Sequence, residues 1–255
     1  MQDFQFVYSP ILIGLSVLAV LCAGFVKGAV GFGMPMITIS ILGSFLAPEV
    51  ALAALIVPTL MSNVWQALRG GWKAAWQSLM SFRLFIGALL VCIALSAQLV
   101  GRIPSSAMFL IIGLPVTLFA AAQLFGWRFS IPPRHRTKLQ LILGSVAGFI
   151  GGISGVWGPP TVAYLTAAEV PKNDHIRVQG VVYGTGALVL FFAHLKSGVL
   201  NGATLPLSLW LVIPALAGMA LGFSVQDRLD QRRFRRATLI VLIVAGLNLL
   251  RRGLT

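Results

Sequence analysis

The chain has 255 residues, of which 58% are hydrophobic and only 10% are charged, and its formal net charge is +13. Because a soluble domain usually carries about a quarter charged residues, this composition excludes an ordinary water-soluble protein. Apolar runs recur along the whole chain, which indicates an all-α polytopic membrane protein. These runs are apolar on both faces, whereas the strands of a transmembrane barrel alternate polar and apolar residues.

The first apolar run covers residues 11–26. The segment before Ile11 has no Lys or Arg and so lacks the positive region of a secretory signal peptide, which predicts a first membrane segment instead. The predicted segments of the first half lie at about residues 10–28, 31–47, 49–68, 79–100 and 104–127. Those of the second half lie at about residues 138–152, 155–169, 173–195, 204–225 and 237–250.

Basic residues group in clusters between the apolar runs, as cytoplasmic loops do under the positive-inside rule. This location argues against a nucleic-acid partner. With the N-terminus outside, the predicted segments place every large cluster in the cytoplasm and both termini in the periplasm. The clusters are Arg69 and Lys73; Arg128, Arg134, Arg136 and Lys138; Lys172 and Arg177; and Arg228, Arg232, Arg233, Arg235 and Arg236.

The beginning of the first half is repeated in the second. Residues 23–35, AGFVKGAVGFGMP, align without gaps to residues 147–159, AGFIGGISGVWGP, at an offset of 124 residues and with six identities. We therefore predict a first repeat over residues 1–127, a basic cytoplasmic connection over 128–138 and a second repeat over 139–255. Because five segments is an odd number, the second repeat enters the membrane with the opposite orientation, which is a transporter architecture.

Each repeat is predicted to begin with a hairpin of short helices broken by Gly and Pro. Residues 138–169 provide 32 residues for two segments and a turn, whereas two full spans need about 40. The chain therefore turns within the membrane, where freed backbone N–H groups and helix dipoles form an anion site. The alternative is close helix packing, because Gly144, Gly148 and Gly152 stand at four-residue spacing.

The two broken motifs resemble a known family. K-G-x-x-G-F-G-x-P begins at Lys27, and G-x-x-G-x-x-G-P-P begins at Gly152. Over nearly the whole chain the sequence is similar to the TauE/SafE, or sulfite exporter, family of membrane transporters. The resemblance implies export of a small sulfur-containing anion, such as sulfite, sulfoacetate or another organosulfonate, across the bacterial inner membrane. Gly151 stands where the first copy has Lys27, so a role of the lysine is not duplicated.

Polar residues within the predicted segments are the candidates for substrate binding. Lys27 would supply charge beside the first break, unless it snorkels to the headgroups, and the same alternative holds for Arg83. Amides, hydroxyls and backbone N–H groups suit the acceptor oxygens of a sulfonate. The predicted set is Lys27, Gly28, Gly31, Phe32, Gly33, Pro35, Asn63, Gln66, Arg83, Ser154, Gly155, Trp157, Gly158, Pro159, Thr161, Gln179 and Tyr183.

None of the six acidic residues lies deep in a predicted segment. A carboxylate-relayed antiporter and a cation carrier are therefore disfavoured. An anion leaving a negative cytoplasm gains about 2.3 kcal/mol per charge and 100 mV, so we favour efflux with the two halves rocking around a central site. Coupling to protons through Lys27, His194 or the substrate itself stays open.

The sequence predicts no enzyme, and no catalytic residue, metal or cofactor. It has three histidines, no H-E-x-x-H and no G-x-S-x-G, which disfavours an intramembrane enzyme. An uptake carrier and a channel for small organic anions are the alternatives. The expected partners are a small anion and the lipid bilayer, and the glycine-rich helices leave a homodimer open.

Overall fold

The computed structural model describes residues 9–102, 104–127, 133–154, 157–168, 170, 172–226, 228 and 231–254, and in these residues all regular secondary structure is helical. The predicted all-α class is confirmed. The first half contains α1 (Pro10–Val30), α2 (Met34–Leu42), α3 (Pro48–Leu68), α4 (Trp72–Ser81), α5 (Arg83–Ser96), a 3₁₀ segment (Ala97–Arg102) and α6 (Ser105–Leu124).

The second half has the same order of long and short helices. It begins with a 3₁₀ turn (Pro133–His135) and continues through α7 (Arg136–Ser154), α8 (Gly158–Ala167), α9 (Lys172–Ser197), α10 (Leu205–Trp210), α11 (Val212–Gln226) and α12 (Gln231–Leu254). The short helices α2 and α8 begin at positions separated by the same offset as the sequence repeat.

The break between α1 and α2 follows from two glycines. Gly31 ends α1 with a φ of 84° and donates its N–H to the Lys27 carbonyl, and Gly33 precedes α2 with a φ of 96°. Both are left-handed conformations that side chains disfavour. Pro35 then lies in the first turn of α2, where its missing N–H leaves no helical bond unmade.

The most extensive helix contacts join one half of the chain to the other. They are α1 with α11, α5 with α7, α6 with α12 and α3 with α9. By their order, α1, α3, α5 and α6 of the first half correspond to α7, α9, α11 and α12 of the second. The pair α1–α11 is therefore equivalent to the pair α5–α7, whereas α3–α9 and α6–α12 each join two equivalent helices. The halves are therefore interlocked around a common centre, with α3 and α9 packed together.

Close packing at these contacts depends on glycine. A Cβ atom on Gly24 would lie 2.2 Å from the Ala215 carbonyl oxygen, and one on Gly148 would lie 2.3 Å from that of Leu89. Gly144 and Gly152 approach α5 in the same way. Gly144, Gly148 and Gly152, which are spaced four residues apart, thus allow close packing of α7 against α5, as the alternative interpretation of this spacing predicts.

Four helical stretches of the described residues are long and apolar enough to cross a membrane: Pro10–Val30, Pro48–Leu68, Asp174–Ser197 and Leu205–Gln226. A fifth candidate is α4 with α5, which are bent by 80°. The ten predicted segments exceed this number in part because α2 and α8, with 9 and 10 residues, are too short to cross about 30 Å of hydrocarbon. The described apolar stretch of α6, Phe109–Leu124, is also shorter than a full span.

Large apolar side chains cover the outside of the bundle. Leu95, Phe192 and Ile213 are each more than half exposed, as are several similar residues on other helices. An apolar surface of this extent is typical of a protein whose outer face contacts lipid.

Candidate substrate site

A small cavity lies where the two broken hairpins meet α3 and α9. The tips of the short helices approach closely here, because a Cβ on Gly158 would lie 2.9 Å from the Met36 methyl carbon. The lining residues are Lys27, Phe32, Gly33, Pro35, Met36, Thr59, Asn63, Trp157, Gly158 and Tyr183.

Lys27 is the basic residue in the described lining of the cavity. Its side chain is 1% exposed, and its Nζ donates to Oδ1 of Asn63 and lies 5.7 Å from the centre of the Tyr183 ring. It therefore points into the protein rather than towards the headgroups. Among the described residues that are buried, Lys27 is the single one of the types Lys, Arg, Asp and Glu.

Two further polar groups of the lining have no hydrogen-bond partner within the described part of the chain. They are Nδ2 of Asn63, which is a donor, and Oγ1 of Thr59, which both donates and accepts. Both residues are about 1% exposed. Because an unmade hydrogen bond costs free energy inside a protein, these groups are suited to hold the oxygens of an anion beside Lys27.

The opposite wall is aromatic. Trp157 and Tyr183 are buried, and their ring centres are 6.4 Å apart. The Tyr183 hydroxyl donates to the Gly158 carbonyl over 3.3 Å, and the Thr161 hydroxyl donates to the Trp157 carbonyl over 2.8 Å. These bonds fix the wall to the start of α8.

The N-termini of α2 and α8 both face the cavity, since Gly33 and Pro35 line it on one side and Gly158 on the other. First-turn N–H groups have no acceptor within a helix, and the helix dipole adds partial positive charge at that end. With Lys27 and Asn63, the cavity therefore combines several donors, and none of the described residues that line it is acidic.

A second polar cluster lies beside the first break. Nε2 of Gln66 donates to the carbonyls of Gly31, over 3.0 Å, and of Ile176, over 2.9 Å. A Cβ on Gly31 would lie 2.5 Å from Oε1 of Gln179, so this side chain packs against the break. Oε1 of Gln66 and Oε1 of Gln179 are buried without a hydrogen-bond partner in the described residues.

The cavity brings together eight of the seventeen predicted residues: Lys27, Phe32, Gly33, Pro35, Asn63, Trp157, Gly158 and Tyr183. Gly31, Gln66 and Gln179 form the adjoining cluster, and Thr161 supports Trp157. Gly28 packs against the Met219 carbonyl of α11, and Arg83 is exposed at the start of α5. Gly155 and the side chains of Ser154 and Pro159 lie outside the described residues.

Two lining residues, Met36 and Thr59, are absent from the predicted set. Thr59 precedes Asn63 by one helical turn, and the 124-residue offset pairs it with Tyr183. That pairing is a signal that could have identified it. Met36 carries no polar group, and only its position after Pro35 connects it with the motif.

Other buried or paired polar residues lie away from the cavity. Arg177 contacts Asp174 at 2.6 Å and donates to the Ser78 hydroxyl over 3.0 Å, which attaches α9 to α4. His194 is buried, and its Nε2 lies 3.1 Å from the Gly152 carbonyl at the end of α7. This contact gives His194 a structural position.

A comparison with protein-family models matches residues 16–249 to the family described as Sulfite exporter TauE/SafE. Comparisons with curated proteins and with solved structures find no match.

Proposed function

We propose, from the premise that this chain belongs to the TauE/SafE sulfite exporter family, that it exports a small sulfur-containing anion across the bacterial inner membrane by alternating access. Membership of the family implies membrane transport of sulfur anions such as sulfite. The observation that carries the finer proposal is the buried Lys27, which lies in a cavity with unused donors and with no acidic residue among its described lining.

We assign substrate binding to Lys27, Asn63 and Thr59, which together are called the donor wall. A sulfonate or sulfite oxygen would accept from Lys27 Nζ, Asn63 Nδ2 and the Thr59 hydroxyl, while the organic part of an organosulfonate would contact Trp157 and Tyr183. Hydrogen bonds between an ammonium and an anionic oxygen are about twice as strong as neutral ones. The bound anion would also relieve the cost of a buried ammonium.

The interlocked packing supports two inverted repeats. Each extensive helix pair joins the two halves, and the set of pairs stays the same when every helix is replaced by its equivalent in the other half. A site at the centre of such an arrangement would be exposed to one side and then the other as the hairpins rock against α3 and α9. We assign Gln66 to the cytoplasmic gate, because its amide links Gly31 to α9 on the side of Arg69 and Arg177.

The direction of transport follows in this proposal from charge. Export of an anion is favoured by a negative cytoplasm, by about 2.3 kcal/mol per charge and 100 mV. The proposal includes periplasmic termini and leaves a homodimer open.

The test is sulfite and methanesulfonate flux in proteoliposomes made with wild type, Lys27→Gln and Lys196→Gln. Lys196 is exposed near the end of α9 and is the matched control. We expect Lys27→Gln to lose at least about tenfold in flux, which corresponds to roughly 1.4 kcal/mol, and Lys196→Gln to retain it.

Equal flux through Lys27→Gln would contradict the assigned site. Flux of carboxylates without sulfur compounds would favour the alternative of a carrier for small organic anions. Single-channel currents would indicate a channel, and flux that accumulates the anion against the membrane potential would indicate an uptake carrier.

A further inference from the structure

We propose that Trp157 sets the upper size of the substrate, so that the transporter accepts sulfite and sulfonates with a short aliphatic part but excludes aromatic sulfonates. The inference rests on the proposed function, because it assumes that the anion binds in the cavity beside Lys27. It specifies the organic part of the substrate, which membership of a sulfur-anion transport family leaves undefined.

The first argument is an asymmetry between the repeats. At the 124-residue offset Trp157 is equivalent to Gly33, and both residues line the cavity. The first repeat thus places bare backbone at this point of the lining, whereas the second repeat places an indole there. The indole therefore fills a volume that a glycine at the equivalent position would leave open to a ligand.

The second argument is the way in which glycines make room for this indole. A Cβ on Gly151 of α7 would lie 2.6 Å from Cε3 and 3.1 Å from Cβ of Trp157. A Cβ on Gly186 of α9 would lie 3.5 Å from Cε2 of the same ring. Because nonbonded heavy atoms do not approach within 3.0 Å of a Cβ without a shift, a side chain at position 151 would displace the indole. The ring is thus packed against α7 and α9.

The indole is also held in a fixed position from the side of the cavity. Trp157 is 2% exposed, and its carbonyl accepts the Thr161 hydroxyl over 2.8 Å. Its ring centre lies 6.4 Å from that of Tyr183, whose hydroxyl donates to the Gly158 carbonyl over 3.3 Å. A bulky side chain with fixed surroundings limits the size of a ligand more sharply than a flexible one such as Met36.

The third argument is that the residues behind the indole are apolar. A Cβ on Gly186 would also lie 3.1 Å from Cδ2 of Leu89 and 3.2 Å from Cδ1 of Ile93, and both of these side chains are buried. Removal of the indole would therefore leave an apolar compartment that continues the cavity. Such compartments bind aromatic rings of matching size. Because a benzene ring is smaller than an indole, benzenesulfonate would place its ring in the vacated space and its sulfonate beside Lys27.

The experiment measures binding of sulfite, methanesulfonate and benzenesulfonate to the full chain in lipid nanodiscs by calorimetry. The proteins are wild type, Trp157→Ala and the matched control Trp210→Ala, which removes an indole that is 75% exposed on α10. We expect wild type and the control to bind benzenesulfonate at least about tenfold more weakly than methanesulfonate. In Trp157→Ala we expect the ratio of benzenesulfonate to methanesulfonate affinity to rise at least about tenfold.

A milder variant covers the case in which Trp157→Ala does not fold. Trp157→Phe keeps an aromatic wall but shortens it, and linear alkanesulfonates of increasing length measure the space that becomes available. We expect the longest alkanesulfonate that binds as well as methanesulfonate to be longer in Trp157→Phe than in wild type. A general loss of stability would weaken the binding of all these anions alike, whereas a size limit changes their order.

The outcomes separate the two proposals. Wild type that binds benzenesulfonate as well as methanesulfonate overturns the size limit. An unchanged order of affinities in folded Trp157→Ala or Trp157→Phe overturns the role of Trp157 and leaves anion transport standing. Absence of binding by sulfite and by every sulfonate to wild type overturns the proposed function itself.

Discussion

Lys27 and Asn63 form a buried pair in which a neutral amide accepts from an ammonium. A lysine at the centre of a membrane helix costs roughly 2.5–3.5 kcal/mol on an insertion scale, and an amide offsets only part of this. In the proposed function, a bound anion would offset the remainder of this cost. Thr59, one turn earlier on α3, belongs to the same donor wall.

Asn63→Asp tests this account at the level of one residue. The new carboxylate would pair with Lys27 and occupy its charge, so we expect the thermal stability to stay at or above that of wild type while methanesulfonate affinity falls more than about tenfold. Asn63→Ala, which removes the amide without adding charge, should lose only a few-fold. Binding by Asn63→Asp that equals wild type would refute the assigned donor wall.

Among the elements, the contact of α1 with α11 has a distinctive construction. Gly24 and Gly28 approach the backbone of α11, and Gly218 and Gly222 approach that of α1. Glycine on both sides lets the helix axes come close, so that van der Waals contact and not a hydrophobic effect holds them in lipid. Gly28, a predicted substrate ligand, contributes to this packing.

Gly222→Ala tests the glycine contact. Its Cβ would lie 2.1 Å from the Phe25 carbonyl oxygen, and we expect a destabilisation of about 1–3 kcal/mol from overpacking. The matched control is Gly14→Ala, because no atom lies within 4 Å of a Cβ at that glycine of α1. Thermal unfolding in detergent measures both, and equal stability of the two variants would contradict the packing argument.

The elements also show what sequence reasoning can reach. The break at Gly31 and Gly33 was predictable because glycine and proline have backbone requirements that are local. The 80° bend between α4 and α5 was not predictable, since Phe82 ends α4 without a glycine or proline. The predicted segment at 79–100 therefore missed the start of α4 at Trp72.

The same distinction applies to the candidate site. Lys27, Asn63 and Tyr183 could be identified because polar groups are rare and costly inside a membrane. Met36 lines the cavity only because α2 and α8 meet there, and such a tertiary contact cannot be predicted from the local sequence. Arg83 belongs to the predicted set because of its charge, but it is exposed at the start of α5 and does not line the cavity.

At the scale of the whole molecule, the four extensive contacts between the halves make one body of two related units. Each half supplies a short helix to the cavity and one helix of the central α3–α9 pair. Sequence similarity between the halves could predict this correspondence but not the interlocking, because pairing across the chain depends on packing in three dimensions.

The predicted topology gives a test at this scale. A phosphatase reporter fused after Thr255 should be active, since this enzyme folds in the periplasm, whereas a matched fusion after Trp127 should be inactive, because the predicted topology places this position on the cytoplasmic side. Activity only in the Trp127 fusion would contradict the inverted arrangement of the repeats.

The partnership of α1 with α11 has a consequence for biosynthesis. Among the described helices α1 is synthesised first, yet its main partner, α11, lies in the second half of the chain, and α6 likewise awaits α12. Contacts so distant in sequence form late. The face of α1 that carries Gly24 and Gly28 must therefore remain in the bilayer without α11 packed against it while most of the protein is still being synthesised. Truncated chains that lack α11 should for this reason be targets of membrane quality control.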